Sequence, residues 1–309
     1  MPDIELIGSG NSHTTLDEPV QVGDTYLVSF GSYNTNMGNV VLKKDGTVWW
    51  EKMDKNPPRD AEDWTGKPWD PDSGKPGAHP NSRFTAPARN CPCISPEWEN
   101  PQGVPLSAII FGGRRAKTAP LVYQSRDWDH GVFVGSIMGS ETTAAADGAT
   151  GVVRRDPMSM LPFCGYDMGD YFQHWLDMGK KTTADKLPKI FNVNWFRLDE
   201  EGNFIWPGFG ENFRVLEWIL KRCENQVGAQ ETPIGFVPKV DDICLDGLDY
   251  EIKPGHKFTK EDLQTILTIN NQWWLEDIEN IHAFYEKIGK TVPEELRNEL
   301  TAMENRLKA

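Results

Sequence analysis

A mixed α/β fold, strand-rich early and helical late, is what this 309-residue chain predicts. Three observations lead there. Short apolar runs of strand length, such as residues 106–111 and 189–196, are bounded by glycine and other turn residues. Segments with helical spacing, such as residues 171–178 and 211–223, alternate with them. From Thr259 onward the pattern is helical, with start and stop signals in place.

Residues 24–30 (Asp-Thr-Tyr-Leu-Val-Ser-Phe) read as a strand. Residues 39–42 and 47–50 read as a hairpin, with Asp45-Gly46 as its turn. From Asp54 to Pro105 the chain is rich in Pro, Gly, Asp and Asn. That composition suits a long irregular surface excursion, and such lengths in a compact protein are functional or disordered. Residues 106–111 end in Gly112-Gly113, as expected of a buried strand running into a site loop. Residues 132–138 are apolar and precede a small-residue segment. Residues 171–178 read as helix and 189–196 as strand. Residues 211–223 read as a helix with Val215, Leu216, Ile219 and Leu220 on one side.

Thr259 is placed to cap a helix, with Asp262 at the third helical position. Trp274, Ile278, Ile281, Tyr285 and Ile288 follow helical spacing, and Gly289 stops the run. Pro293 opens a last helix striped by Leu296, Leu300, Met303 and Leu307. These stripes are expected to pack on their own domain.

A net charge of −14 argues against nucleic-acid or anionic-membrane binding. It does not exclude a local basic pocket, for which Arg114, Arg115, Arg154 and Arg155 are candidates. No apolar run approaches the roughly 18 residues of a membrane span. The start, Met-Pro-Asp-Ile-Glu, lacks the features of a signal peptide. The five cysteines, odd in number and widely spaced, fit reduced thiols in a cytoplasmic protein. Cys91-Pro-Cys93 is spaced too closely for a zinc pair and has no second pair nearby. The histidines show no metal-ligand spacing, so no metal ligand is assigned.

Phe196, Phe204 and Phe209 lie among turn-forming glycines and a proline, and Asn212 follows them. Rings on such a loop can hold a flat ligand by offset stacking. An amide offers a donor and an acceptor on one plane and can read that ligand's edge. Together they suggest a purine slot, although the same rings, with Trp195 and Trp206, also fit the core of a strand pair. Phe111-Gly-Gly-Arg-Arg115 sets two guanidinium groups after a strand. Glycine there admits a close ligand, and arginine grips carboxylate or phosphate with a fork; a solvated surface pair is the alternative. Residues 113–118 nearly mimic a Walker A loop, but Ala116 precedes Lys117 where glycine is required. Residues 139–151 carry few large apolar anchors and can open and close readily. Asp199-Glu200-Glu201 reads as a solvated turn.

The aromatic stretch, Phe111-Gly-Gly-Arg-Arg115, His79-Pro-Asn-Ser-Arg-Phe84 and Gly139-Ser-Glu-Thr-Thr-Ala-Ala-Ala146 together make the chain from about Asn39 onward resemble the C-terminal half of GTP-dependent phosphoenolpyruvate carboxykinase. The resemblance implies a C-terminal nucleotide-binding domain over residues 39–309 behind an unmatched segment, 1–38. It implies conversion of oxaloacetate and GTP to phosphoenolpyruvate, carbon dioxide and GDP. Arg114, with Arg115 beside it, matches the arginine that contacts the transferred phosphoryl group. Asn81, Ser82 and Arg83 match the segment that binds the carboxylate of oxaloacetate or phosphoenolpyruvate. Phe196, Phe204, Phe209 and Asn212 match the guanine slot.

Ser140, Glu141, Thr142, Thr143, Ala144, Ala145 and Ala146 match a mobile lid, whose closure keeps water from protonating the enolate to pyruvate. Gly139 stands where some relatives carry arginine, so a lid-anchoring ion pair is expected to be missing. The family's phosphate loop and manganese ligands lie upstream of the matching region. Mn2+ or Mg2+ is therefore expected for the reaction, with ligands from outside this chain. The chain can be a piece of a longer enzyme, a subunit whose partner supplies the other half, or a relative that binds nucleotide or anion without catalysis. The replaced start argues against simple truncation. Taken alone, the chain is expected to turn over little.

Overall fold

The computed structural model describes residues 41–50, 56–78, 89, 91–142 and 151–309, and the backbone of four short strands before them. The chain divides into two compact units, Met1–Val104 and Pro105–Ala309.

In the first unit β1 (Val20–Val22) pairs antiparallel with β2 (Thr25–Leu27), and β3 (Phe30–Ser32) with β4 (Thr35–Met37). The stretch 24–30, read as one strand, thus contributes to two. The expected hairpin is present as β5 (Val41–Lys43) and β6 (Val48–Trp49). Its turn holds Gly46 at φ 79°, a conformation glycine adopts without a Cβ clash. The irregular excursion expected from Asp54 to Pro105 is not irregular throughout. β7 (Ala61–Glu62) and β8 (Pro68–Trp69) extend the hairpin into a sheet of order β6-β5-β7-β8. Apolar burial holds it there. Val41, Trp49, Ala61 and Trp69 form a small core, and the two indoles stack with centroids 5.5 Å apart.

In the second unit the described residues form a five-stranded mixed sheet. Its strands are β9 (Ala108–Gly112), β10 (Val122–Gln124), β13 (Lys189–Val193), β14 (Gln230–Thr232) and β15 (Gly235–Val237), in the order β14-β15-β10-β13-β9. Only β13 and β9 run parallel; β10 is antiparallel to β13. Successive side chains of a strand point to opposite faces, and β13 shows it. Ile190 joins a core with α1 (Trp128–Ser136), α2 (Met168–Gly179), α5 (Asn271–Ile288) and α6 (Glu294–Lys308). Phe191 and Val193 join a second core with α3 (Asn212–Cys223) and α4 (Lys260–Leu267). Helices therefore cover both faces of the sheet. Two small hairpins complete the unit: β11 (Gly139–Glu141) with β12 (Val153–Arg155), and β16 (Glu251–Lys253) with β17 (His256–Lys257).

The helical tail follows the sequence expectation. The Thr259–Asp262 capping box opens α4, and Gly289 ends α5 at φ 92°. Leu296, Leu300, Met303 and Leu307 are buried in their own domain. Three details differ. The run 106–111 is an edge strand rather than a buried one: β9 has β13 as its one sheet neighbour, and Ile110 stays 41% exposed. The strand read over 189–196 stops at Val193, because Asn194 turns to bond a neighbouring loop. On α3 the buried stripe is Val215, Trp218 and Ile219, an i, i+3, i+4 set, while Leu220 is exposed. Trp218 sets that rotation by packing edge-on against Phe191.

Candidate nucleotide and anion site

Register brings three chain ends to one edge of the sheet. Val193 pairs with Gly112 on one side and with Val122 on the other. The loop from Gly113 to Pro120 therefore leaves β9 and re-enters at β10 beside the point where β13 ends and the aromatic turn begins. This is the carboxyl end of the parallel pair, where α/β sheets place their ligands.

The arginine loop is tightly tied. Arg114 donates its backbone N–H to Ser140 Oγ at 3.1 Å, and Glu141 N–H donates to the Arg114 carbonyl at 2.8 Å. Ala116 N–H donates to Glu141 Oε1 at 3.0 Å. This close seam explains Gly113: a Cβ there would meet the Gly139 carbonyl oxygen at 2.4 Å. The two arginines then diverge. Arg114 is exposed, and its guanidinium reaches the Glu141 carbonyl at 3.4 Å. Arg115 is buried and bidentate on Asp277 of α5, at 2.9 and 3.3 Å. Of the pair, only Arg114 is available to a ligand as the structure stands.

Arg155, on the returning strand of the β11–β12 hairpin, also reaches Asp277, at 2.6 Å. It further donates to the Asn280 side chain and the Ile137 carbonyl. Burial pushes the Asp277 carboxyl up, but the guanidinium groups of Arg155 and Arg115 outweigh it and hold the carboxyl below its ordinary value. One aspartate thus joins the arginine loop to the base of the hairpin. The same packing leaves little room at Gly139, where a Cβ would lie 2.9 Å from Val153 Cγ1 and 3.3 Å from the Arg155 guanidinium. Sequence reading missed Asp277. The signal was present: an acidic residue three after Trp274 and one before Ile278, on the apolar stripe of α5.

The aromatic turn is finished differently. Phe196 and Phe204 meet edge to face with centroids 6.0 Å apart, and Leu198 bridges to Phe204. Phe204 is 51% exposed and Phe209 93%. Phe209 sits at φ 50°, between Gly208 and Gly210, a left-handed conformation unusual for a bulky residue. Trp206, by contrast, is core, and its indole N–H donates to Asn212 Oδ1 at 2.9 Å. One lone pair of the Asn212 side-chain oxygen is thereby used, which ties the carboxamide to the core. Phe213, which the sequence did not single out, adds another exposed ring next to Asn212.

Asn81, Ser82 and Arg83 lie outside the described residues, as do Thr143, Ala144, Ala145 and Ala146. Ser140 and Glu141 belong to β11, and Thr142 follows them. Among the described residues no group of three His, Cys, Asp or Glu side chains could hold a metal ion. No described helix is long and apolar enough to cross a membrane. A cleft of about 470 Å³, lined by Gln124, Arg126, Trp128 and Lys189, lies at the opposite end of β13, away from both loops.

The profile of the phosphoenolpyruvate carboxykinase C-terminal P-loop domain matches residues 21–306, beginning ahead of Asn39. The GTP-dependent phosphoenolpyruvate carboxykinase of Renibacterium salmoninarum is 51% identical over 274 residues, covering 89% of this chain and 44% of that protein. Those of Chlamydia pneumoniae and Chlamydia caviae are 48% and 47% identical over 276 residues, with the same coverage. The chain thus spans less than half the length of these relatives. A match that runs through the arginine loop, the hairpin and the aromatic turn alike places this chain in the GTP-dependent phosphoenolpyruvate carboxykinase family, as its C-terminal half.

Proposed function

We propose that this chain provides the guanine slot and the phosphoryl-contacting arginine for the carboxykinase reaction, in which oxaloacetate and GTP give phosphoenolpyruvate, carbon dioxide and GDP. The observation that carries the reading is the exposed aromatic turn. Phe204 and Phe209 stand in solvent beside an asparagine whose carbonyl is already engaged. A guanine fits that arrangement, because its exocyclic oxygen can accept from the remaining Asn212 N–H groups. Adenine presents an amino group at the same position, which the Asn212 N–H groups cannot meet; it would have to share the Asn212 oxygen with Trp206. Such a mismatch disfavours adenine.

Arg114, across the sheet end, is the guanidinium for the transferred phosphoryl group. Arg115 acts through position: its pairing with Asp277 fixes the loop that carries Arg114. Asn81, Ser82 and Arg83 are assigned to the substrate carboxylate, and residues 139–151 to the lid that excludes water from the enolate, both by family resemblance. The reaction also draws on a divalent metal, which stabilises developing charge, and the described residues offer no ligand set that fits it. That set and the phosphate cradle belong to the other half, on the same polypeptide or on a partner chain, in a cytoplasmic setting.

By itself the chain then binds guanine nucleotide without turning over, because electrostatic stabilisation of the transition state is usually the largest catalytic contribution. Calorimetric titration should show GDP binding and much weaker ADP binding. Phosphoenolpyruvate formation from oxaloacetate with GTP and Mn2+ should stay at background. Equal affinity for GDP and ADP would sink the base slot. Robust turnover abolished by Arg114→Ala would overturn the claim that the chain alone is inactive.

A further inference from the structure

We infer that Asn194 is a positioning residue that sets the spacing between the aromatic slot and the arginine loop, so that one nucleotide can engage both. The inference rests on the guanine-slot reading above. Asn194 follows the last residue of β13 and is fully buried. Its Oδ1 accepts from the Arg115 N–H and from the Phe196 N–H, each at 3.2 Å. Its Nδ2 donates to the Arg115 carbonyl at 2.8 Å and to the Ala119 carbonyl at 3.0 Å. Two lone pairs and two N–H groups are the whole capacity of a carboxamide, and all four are used.

An asparagine that merely shaped its own turn would need only the bond to Phe196, two residues on. The other three bonds reach a loop 75 to 79 residues away in sequence. The amide takes both the N–H and the carbonyl of Arg115, as a neighbouring strand would. It ties the two chains together just beyond the last β13–β9 pair, one residue past Val193 and three past Gly112. A second strap lies just beyond, where Leu198 N–H donates to the Ala116 carbonyl at 3.1 Å. The residue flanking Arg114 and the first ring of the slot therefore share one side-chain oxygen. A ligand that bridges both loops gains from that fixed distance as a linked pair of binding groups does, and loses the gain when the geometry drifts.

The test compares a bridging ligand with its two parts. Asn194→Asp keeps the acceptor oxygen but cannot donate to the Arg115 and Ala119 carbonyls. Binding of GTP, guanosine and inorganic triphosphate is measured by calorimetry on the full chain and on the variant. GTP should weaken about tenfold or more, while guanosine and triphosphate each change less than about threefold, because only the linkage between sites is disturbed. A parallel loss of GTP and guanosine would mean that Asn194 merely holds the slot together, and three unchanged affinities would mean that it sets nothing. Failure of the unaltered chain to bind guanosine would remove the base slot itself, a different result from either. If the variant does not fold, the unaltered chain decides: GTP should bind on the order of a hundredfold more tightly than guanosine, and equal affinities would overturn the role.

Discussion

The arginine loop and the aromatic turn sit at the same end of one sheet and are built in opposite ways. In the first, polar groups are buried and paired: Arg115 and Arg155 share Asp277, and Asn194 uses its full hydrogen-bonding capacity. In the second, apolar groups are left in water, with Phe204, Phe209 and Phe213 each more than half exposed. Exposed rings gain little from folding. The contrast separates two constructions. The arginine loop is fixed by the fold's own interactions, whereas the aromatic turn, under the proposed function, is completed by the base it binds. Mutations in the two regions should therefore report on different quantities.

The largest effect is expected in the tied region. Asp277→Ala leaves two buried guanidinium groups without their carboxylate, and breaking a buried pair from one side costs about 3–5 kcal/mol. Chemical denaturation should show that loss as a lower midpoint. The pH dependence carries the same signature. The Asp277 carboxyl titrates below its unfolded value of 3.8, so its contribution is complete above that pH and is lost as pH falls through the lower folded value. Asp277→Asn should remove this part of the acid transition. A variant as stable as the parent would mean that the arginine loop is no more fixed than the aromatic turn, and the contrast would collapse.

Next comes the exposed region. Phe209→Ala should weaken GDP by about 1–3 kcal/mol, the range found for base stacking on an aromatic ring. Stability should move by no more than about 0.5 kcal/mol, as for surface changes generally. Calorimetry and denaturation on the same preparation check both numbers. Unchanged GDP affinity would refute the slot, and a large stability loss would show that the ring packs on the fold.

This division also explains what could be read from the sequence. The helical tail was legible because periodicity and caps are local signals, as Thr259, Asp262 and Gly289 show. The aromatic turn was legible because phenylalanines among glycines stand out by composition. Trp206 was ambiguous for the same reason, since composition does not tell a buried ring from an exposed one. The polar ties were not legible. Asn194 finds three of its four partners, and Asp277 both of its arginines, across long sequence separations, and no spacing rule carries that information. The different fates of Arg114 and Arg115 depend on those partners, so two adjacent arginines of one motif could not be told apart beforehand. Residues 61–69 were misjudged because the whole stretch 54–105 is rich in Pro, Gly, Asp and Asn, while the stacking of Trp49 on Trp69 holds this part of it in a sheet.

The smallest effect gives the sharpest form of the comparison. Phe209 holds φ 50° with 93% of its surface exposed. A left-handed conformation costs a residue with a Cβ roughly 1–2 kcal/mol, and so exposed a ring returns little through packing. Phe209→Gly should relieve that strain. The gain is partly offset, because glycine adds about 0.4–1 kcal/mol of conformational entropy to the unfolded chain. The net expectation is a protein as stable as the parent or up to about 1.6 kcal/mol more stable, since the two contributions oppose each other. GDP binding should meanwhile fall as far as in Phe209→Ala. Gain in one property with loss in the other would mark Phe209 as a residue that the fold tolerates for the sake of the ligand. A clear loss of stability in Phe209→Gly would instead make the ring part of the fold, and the aromatic turn would then belong with the arginine loop rather than opposite it.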